Sequence, residues 1–133
     1  MRGFSINIER ATKDNEDFRR VLFTTHNTQV VVMSLMPGED IGEEMHGVDQ
    51  FLRCEEGSGK SVLDGLEQEF SGGIAVVVPA GTKHNVINTS MDRPMKLYTV
   101  YAPPHHVDGK VHATKAESQA DENNDHFEGK TTV

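Results

Sequence analysis

The sequence predicts an all-β domain with the architecture of a double-sheet jelly roll. Eight short runs rich in β-branched and aromatic residues recur between residues 20 and 101, at the spacing typical of antiparallel β domains. Turn residues separate these runs, and Asp64-Gly65 is a strong signal for a two-residue hairpin loop. No convincing helix interrupts the region, which fits two packed sheets.

The predicted elements divide the chain into three parts. Residues 1–17 combine an apolar alternation (Phe4, Ile6, Ile8) with a charged stretch, which predicts a strand available for dimer pairing and then a loop. The barrel is expected over residues 18–106, with strands at 20–25, 29–35, 50–54, 61–63, 66–70, 74–78, 85–88 and 96–101. Residues 107–133 are polar and acidic, which predicts a flexible C-terminal extension with at most a short helix over residues 113–120.

Length and composition narrow the class of protein. A chain of 133 residues suits one domain. Its net charge of -8 and lack of a basic run argue against a nucleic-acid partner. Its apolar stretches are shorter than a membrane span, and the amino terminus has no apolar signal-peptide core, so we expect a cytoplasmic protein with no membrane partner. Cys54 is expected to be a buried thiol, with a reactive thiol as the alternative.

The strongest local pattern lies near the middle of the chain. It consists of Gly73-x5-Pro79-x-Gly81-x2-His84-x3-Asn88, in which a strand enters a Pro-x-Gly turn that delivers His84 to the next strand. Upstream lies a second frame, Gly38-x5-Glu44-x-His46-x3-Gln50-x6-Gly57. Residues two positions apart on a strand face the same side, so Glu44 and His46 are both expected to point into the barrel.

Together these patterns resemble the two conserved motifs of the cupin superfamily. The downstream pattern matches the family motif at every position, whereas upstream the first family His is replaced by Glu44 and the family Glu by Gln50. The resemblance covers residues 18–102. Within the family, the chain is similar to the small single-domain group likened to mannose-6-phosphate isomerases. It implies a cupin barrel whose divalent metal ligands are Glu44, His46, Gln50 and His84.

The two substitutions keep the charge balance of such a site. Two His, one Glu and one Gln around a divalent ion carry the same net charge as three His and one Glu. An amide oxygen is a weaker donor than a carboxylate, so Gln50 either binds loosely or leaves a two-His, one-carboxylate set that suits Fe(II) but also Mn, Ni, Co, Cu or Zn. The alternatives are a solvated Glu44 and a hydrogen-bonded core Gln50.

The sequence also predicts roles for several further residues. Asn88 is predicted to satisfy loop backbone near the site, and Lys83 to point outward. Tyr98 and Tyr101 fall on opposite faces of their strand, so one of them can line the cavity. The histidines after the last strand either lie exposed in loops or fold over the barrel mouth and supply an acid or base near neutral pH; they are His105, His106 and His112.

Two function classes follow from this reading. The first is a metal-dependent isomerase, lyase or dioxygenase that acts on a small oxygenated substrate such as a sugar, sugar acid or keto acid. The alternative is a non-catalytic cupin that binds a small ligand such as a sugar. An anionic ligand would need a basic partner near the acidic residues 39–44, with Arg53, Lys83, Arg93 and Lys96 as the expected sources. We also expect a homodimer.

Overall fold

The structure, a computed structural model, describes residues 2–133. Within them the elements are, in chain order, α1 (Ile8–Asp14), β1 (Arg19–Thr24), β2 (Gln29–Leu35), β3 (Asp49–Glu56), β4 (Ser58–Leu63), β5 (Leu66–Ser71), β6 (Ala75–Val78), β7 (His84–Asn88), β8 (Met95–Ala102), β9 (Val111–His112) and α2 (Lys115–Asp121). All eight predicted strands are confirmed, with bounds that differ by up to three residues.

The strands form two antiparallel sheets, which confirms the predicted jelly-roll architecture. The larger sheet has the order β6-β3-β8-β2-β1-β9, and the smaller sheet has the order β5-β4-β7. Alternating apolar residues of both sheets fill the space between them, and several are completely buried, including Val31, Met33, Leu52, Phe70 and Leu97. Cys54 belongs to this core, where burial raises the pKa of its thiol to about 11 and confirms the buried assignment.

The hairpin between β4 and β5 forms as predicted. Leu63 pairs with Leu66 across a two-residue loop, and both loop residues have positive φ, 47° at Asp64 and 84° at Gly65. Positive φ at both positions matches the right-handed twist of the flanking strands, which is why Asp-Gly favours this turn.

The predicted N-terminal strand is wrong. Residues 2–7 have no regular secondary structure, and Ile8–Asp14 is helical because Asn7 caps the helix by accepting a hydrogen bond from the Arg10 amide. Phe4 stacks on Phe23 of the same chain, with ring centroids 4.7 Å apart. Neither helix within residues 2–133 is long and apolar enough to cross a membrane.

The C-terminal extension makes more contacts with the barrel than its composition predicted. Its short helix is confirmed at Lys115–Asp121, where Thr114 and Glu117 form a capping box. Beyond the helix, the Phe127 amide donates to the carbonyl of His105, and the Thr132 amide donates to the carbonyl of Thr24. The extension therefore lies across one end of the barrel and forms part of the cavity described below.

Candidate functional site

Backbone hydrogen bonds hold the candidate ligands in place. The amides of Glu44 and His84 each donate to the other residue's carbonyl, both at 2.9 Å, so Glu44 forms a single β-bridge rather than the regular strand we expected. The Gly81 amide donates to the His46 carbonyl at 2.8 Å, and Gly81 has a φ of 84° that a glycine adopts without strain. The Pro-x-Gly turn thus positions both motifs.

Three of the predicted ligands converge. One ligand atom from each of Glu44, His46 and His84 lies within 4.8 Å of the others. Metal–ligand bonds of about 2.0–2.2 Å place two ligands of one ion at most about 4.4 Å apart, so the cluster is within a few tenths of an ångström of a coordinating arrangement. Glu44 Oε2 and His46 Nε2 are already 2.6 Å apart.

Each of the two imidazoles has a ring nitrogen that can bind a metal. Nδ1 of His84 donates to the carbonyl of Thr82 at 2.9 Å, which leaves Nε2 as the unprotonated nitrogen. Nε2 of His46 is buried, has no other polar partner within residues 2–133, and lies 2.6 Å from Glu44 Oε2, so it faces that carboxylate oxygen. Both rings therefore have a nitrogen available for an ion.

Gln50 has an unsatisfied oxygen on the same side of the sheet. Its side chain is buried, and its Nε2 donates to Thr99 Oγ1 at 2.9 Å, but its Oε1 has no hydrogen-bond partner among residues 2–133. Gln50 pairs directly with Tyr101 across β3 and β8, and the Tyr101 ring lies 6.0 Å from the His46 ring. A buried acceptor without a partner is costly, and an ion would satisfy it. The donor set thus fits a divalent metal.

The electrostatics keep Glu44 ionised. Burial by itself would raise the pKa of its carboxyl, but the contact with His46 and the positive field of Arg19 outweigh burial and lower that pKa. A carboxylate must be deprotonated to bind a metal, so this environment favours the ligand role. The alternative of a solvated Glu44 is not supported, because its side chain is only 27% exposed.

Two of the histidines after β8, His105 and His106, line the cavity over the site, and His112 lies in strand β9 rather than in an exposed loop. The rings of His105 and His46 are 4.0 Å apart, while His106 and His112 are buried. Burial, together with the neighbouring His106 and His46, lowers the pKa of His105 to about 3, so its imidazole is neutral at physiological pH. Of the two alternatives in the sequence, the fold over the barrel mouth is observed for His105 and His106, and neither alternative describes His112.

A buried chain of hydrogen bonds runs from the site into the extension. Tyr101 donates its hydroxyl to His106 Nε2 at 3.1 Å, and His106 Nδ1 donates to Asp125 Oδ2 at 2.8 Å. Burial raises the pKa of the Tyr101 phenol, which therefore stays protonated. Tyr101 is the tyrosine that points into the barrel interior, beside His46 and His106, whereas Tyr98 lies against Phe51.

Other predicted roles can be compared with the structure directly. Asn88 is buried and donates to the carbonyls of Leu35, Met36 and Arg93, which confirms its structural role. Lys83 is exposed, as predicted. A second cluster, His112, Asp121 and Asp125, is compensated within the protein, because Lys110 pairs with Asp121 and His106 pairs with Asp125.

The cavity beside the site has a volume of about 570 Å³ and lies between the barrel and the extension. Its basic side chains are Arg19 and Lys115, which sequence reasoning missed. None of the four expected basic residues lines it; for example, Arg53 pairs with Glu55, and Lys96 is bound to Asn15 and Ser34 on the other side of the barrel sheet. Arg19 was detectable, since it is in phase with the buried Val21 and Phe23 on β1.

Two packed antiparallel sheets with a His and carboxylate cluster at one end define a cupin. Residues 31–101 match the family described as Cupin domain, and this chain belongs to the cupin family. The predicted likeness to a mannose-6-phosphate isomerase group goes further than this match.

The chain is also similar to proteins from several organisms. It is 51% identical over 127 residues to the uncharacterized protein YrkC of Bacillus subtilis (strain 168), an alignment that covers 90% of this chain and 67% of that protein. It is 37% identical over 120 residues to the uncharacterized protein L612 of Acanthamoeba polyphaga mimivirus, covering 86% and 74%. The crystal structure of BH2720 from Bacillus halodurans is 48% identical, with a TM-score of 0.87 over 90% of this chain and 95% of that chain.

Proposed function

We propose that this cupin is a metal-dependent enzyme that binds one divalent ion through Glu44, His46 and His84, with Gln50 as the fourth ligand. The observation that carries the proposal is the convergence of three ligand atoms within 4.8 Å of one another. The unsatisfied Oε1 of Gln50 supports the fourth position. This mixed nitrogen and oxygen set suits Fe(II) and is compatible with Mn, Ni, Co, Cu or Zn.

The site suits a small substrate with adjacent oxygens, such as a sugar, a sugar acid or a keto acid. When bound, the ion supplies Lewis-acid chemistry that polarises a carbonyl or acidifies a hydroxyl. The chain's own residues enclose the ligand: the extension covers the cavity, His105 presents a neutral imidazole, and the buried Tyr101 hydroxyl holds His106 in place behind it. Isomerase, lyase and dioxygenase reactions all fit these groups.

The mannose-6-phosphate isomerase-like assignment, the homodimer and the cytoplasmic location remain predictions. So does the alternative of a non-catalytic sugar-binding cupin, which differs from the enzyme in turnover rather than in fold. Turnover that is lost on removal of the ion separates the two, because a non-catalytic cupin has no turnover with or without a metal.

The test is the metal content of the purified protein, measured by plasma mass spectrometry on wild type and His84→Ala. We expect about one divalent ion per chain in wild type and none in the variant. His26→Ala, which changes an exposed loop histidine, is the matched control and keeps the ion. Wild type that carries no ion, and whose melting temperature is unchanged by added Fe, Mn, Ni or Zn, would contradict the proposal.

If the protein does bind metal, oxygen uptake by Fe(II)-loaded protein with a panel of keto acids and diols separates a dioxygenase from an isomerase or lyase.

A further inference from the structure

Arg19 is a buried positive charge without an ion-pair partner. Its side chain belongs to a residue that is only 4% exposed, and no carboxylate within residues 2–133 lies within 4.0 Å of its guanidinium. Its protein hydrogen bonds run through Nη1, to Ser118 Oγ at 2.5 Å and towards His112 Nδ1 at 3.5 Å. Its Nε is buried and has no partner among the described residues.

Such an arrangement is costly unless something else compensates it. A buried charge that is neither paired nor fully hydrogen-bonded destabilises the folded state, and arginine cannot escape by losing its proton. The Phe18 ring, with its centroid 5.3 Å from the guanidinium carbon, offers only a weak cation–π contact. The missing partner is therefore expected to be an anion that comes from outside the chain.

The position of Arg19 says where that anion binds. Arg19 lines the same cavity of about 570 Å³ as Glu44, His46 and His105. Lys115, the other basic side chain of the cavity, is already paired with Asp40 at 2.6 Å.

We propose that Arg19 binds the carboxylate of a small organic acid whose remaining oxygens reach the site formed by Glu44, His46 and His84. The inference rests on the proposed function and narrows its substrate class to a hydroxy or keto acid, rather than a neutral sugar. A carboxylate is favoured because a guanidinium forms short, charge-assisted hydrogen bonds with it, and Nη2 of Arg19 makes no hydrogen bond within residues 2–133.

The test compares carboxylates with their neutral amides. Lactate and malonate are titrated against lactamide and malonamide, up to 10 mM, into metal-free and Zn-loaded protein, and binding is followed by amide chemical shifts. Wild type is expected to bind the acids at least tenfold more tightly than the amides. Arg19→Gln is expected to weaken acid binding about 10- to 100-fold, the loss expected for a charge-assisted hydrogen bond.

The neighbouring Arg20→Gln variant is the matched control. This substitution removes the same charge one position along β1, but Arg20 is exposed and pairs with Asp17. It should bind the acids as wild type does. Arg19→Lys keeps the charge without the planar fork and should give an intermediate affinity if it folds; the acid and amide comparison in wild type needs no variant.

The outcomes separate this inference from the metal proposal. Zn binding that is unchanged in Arg19→Gln while acid binding is lost supports Arg19 as the anion anchor. If no ion binds to any variant, the metal proposal fails, yet a preference for acids in metal-free protein that depends on Arg19 still supports the anchor. Equal affinity for acids and amides, or acid binding that survives in Arg19→Gln, overturns it, as does glycerol 3-phosphate binding more tightly than every carboxylate.

Discussion

Nδ1 of His106 lies 2.8 Å from Oδ2 of Asp125, and each residue is only 5% exposed. The second carboxylate oxygen of Asp125 accepts from the Val107 amide at 2.9 Å. This contact joins the end of the barrel to the C-terminal extension, and through Tyr101 it reaches the candidate site. The extension is therefore expected to contribute to stability as well as to the cavity.

Replacing Asp125 with alanine should destabilise the protein. The change leaves the buried His106 Nδ1 and the Val107 amide without acceptors, at a cost of about 2–4 kcal/mol in the free energy of unfolding. Urea unfolding at neutral pH measures this difference. Glu128→Ala, an exposed acid on the same extension, is the control and should change stability by less than about 0.5 kcal/mol. Equal stability of the two variants would contradict the structural role of the contact.

Stability should fall as the pH is lowered below about 6.5. Burial lowers the pKa of His106 to about 4, although the hydrogen bond with Asp125 acts to raise that pKa. A histidine in the unfolded chain titrates near 6.5. The unfolded state therefore binds more protons between these values, and stability present above pH 6.5 is lost towards pH 4, by up to about 3 kcal/mol. The charges of Arg19 and Glu44 also act on the His106 imidazole, and the His105 ring lies beside it.

The measurement is the free energy of unfolding of metal-free protein at pH 7, 6, 5 and 4. His106→Gln should show a shallower loss over this range, because one of the titrating imidazoles is gone, although His105 titrates in the same direction. His26→Gln, in an exposed loop, should follow wild type. Identical pH profiles for His106→Gln and wild type would show that His106 is not a neutral buried group.

Gln50 should contribute to metal affinity. Replacing it with alanine removes the unsatisfied Oε1 and is expected to weaken Zn binding about tenfold, while Gln50→Glu, which supplies a carboxylate, should strengthen it by a similar factor. Competition with a chromophoric chelator measures both affinities. Thr99→Val, which removes the partner of the Gln50 amide but no ligand, is the control. If Gln50→Ala loses stability but keeps its Zn affinity, Gln50 is a core residue.

The structure removes the feature from which the homodimer was predicted. The N-terminal strand that was expected to pair does not form, and Phe4 packs on Phe23 of its own chain. Sedimentation at micromolar concentration tests the prediction. A species of twice the 14.7 kDa chain mass agrees with a homodimer, and a single species of the chain mass contradicts it.

Local signals predicted most of the fold correctly. The strand runs and the Asp64-Gly65 hairpin depend on side-chain alternation and on turn conformation, both of which act over a few residues. The failure at the amino terminus has a local cause as well. The alternation of Phe4, Ile6 and Ile8 resembles a strand, but Asn7 caps a helix that begins at Ile8.

The parts of the site that were missed depend on long-range contacts. Asp125 is buried because it pairs with His106, which is 19 residues away in the sequence. Nothing in the acidic composition of the extension indicates this pairing. Arg19 has a visible signal in the phase of β1, but its relation to the cavity depends on where the extension lies. The resemblance of the two motifs to those of cupins, by contrast, implied that His46 and His84 lie together, and their rings are 5.1 Å apart.

X-ray absorption at the metal edge of Zn- or Fe-loaded protein tests the central claim most directly, because it reports which atoms surround the ion. We expect scattering from two imidazoles and from oxygen ligands at about 2.0–2.2 Å. Each of the variants His46→Ala and His84→Ala should lose the scattering of one imidazole. A spectrum with no imidazole scattering, or one that neither variant changes, would contradict it.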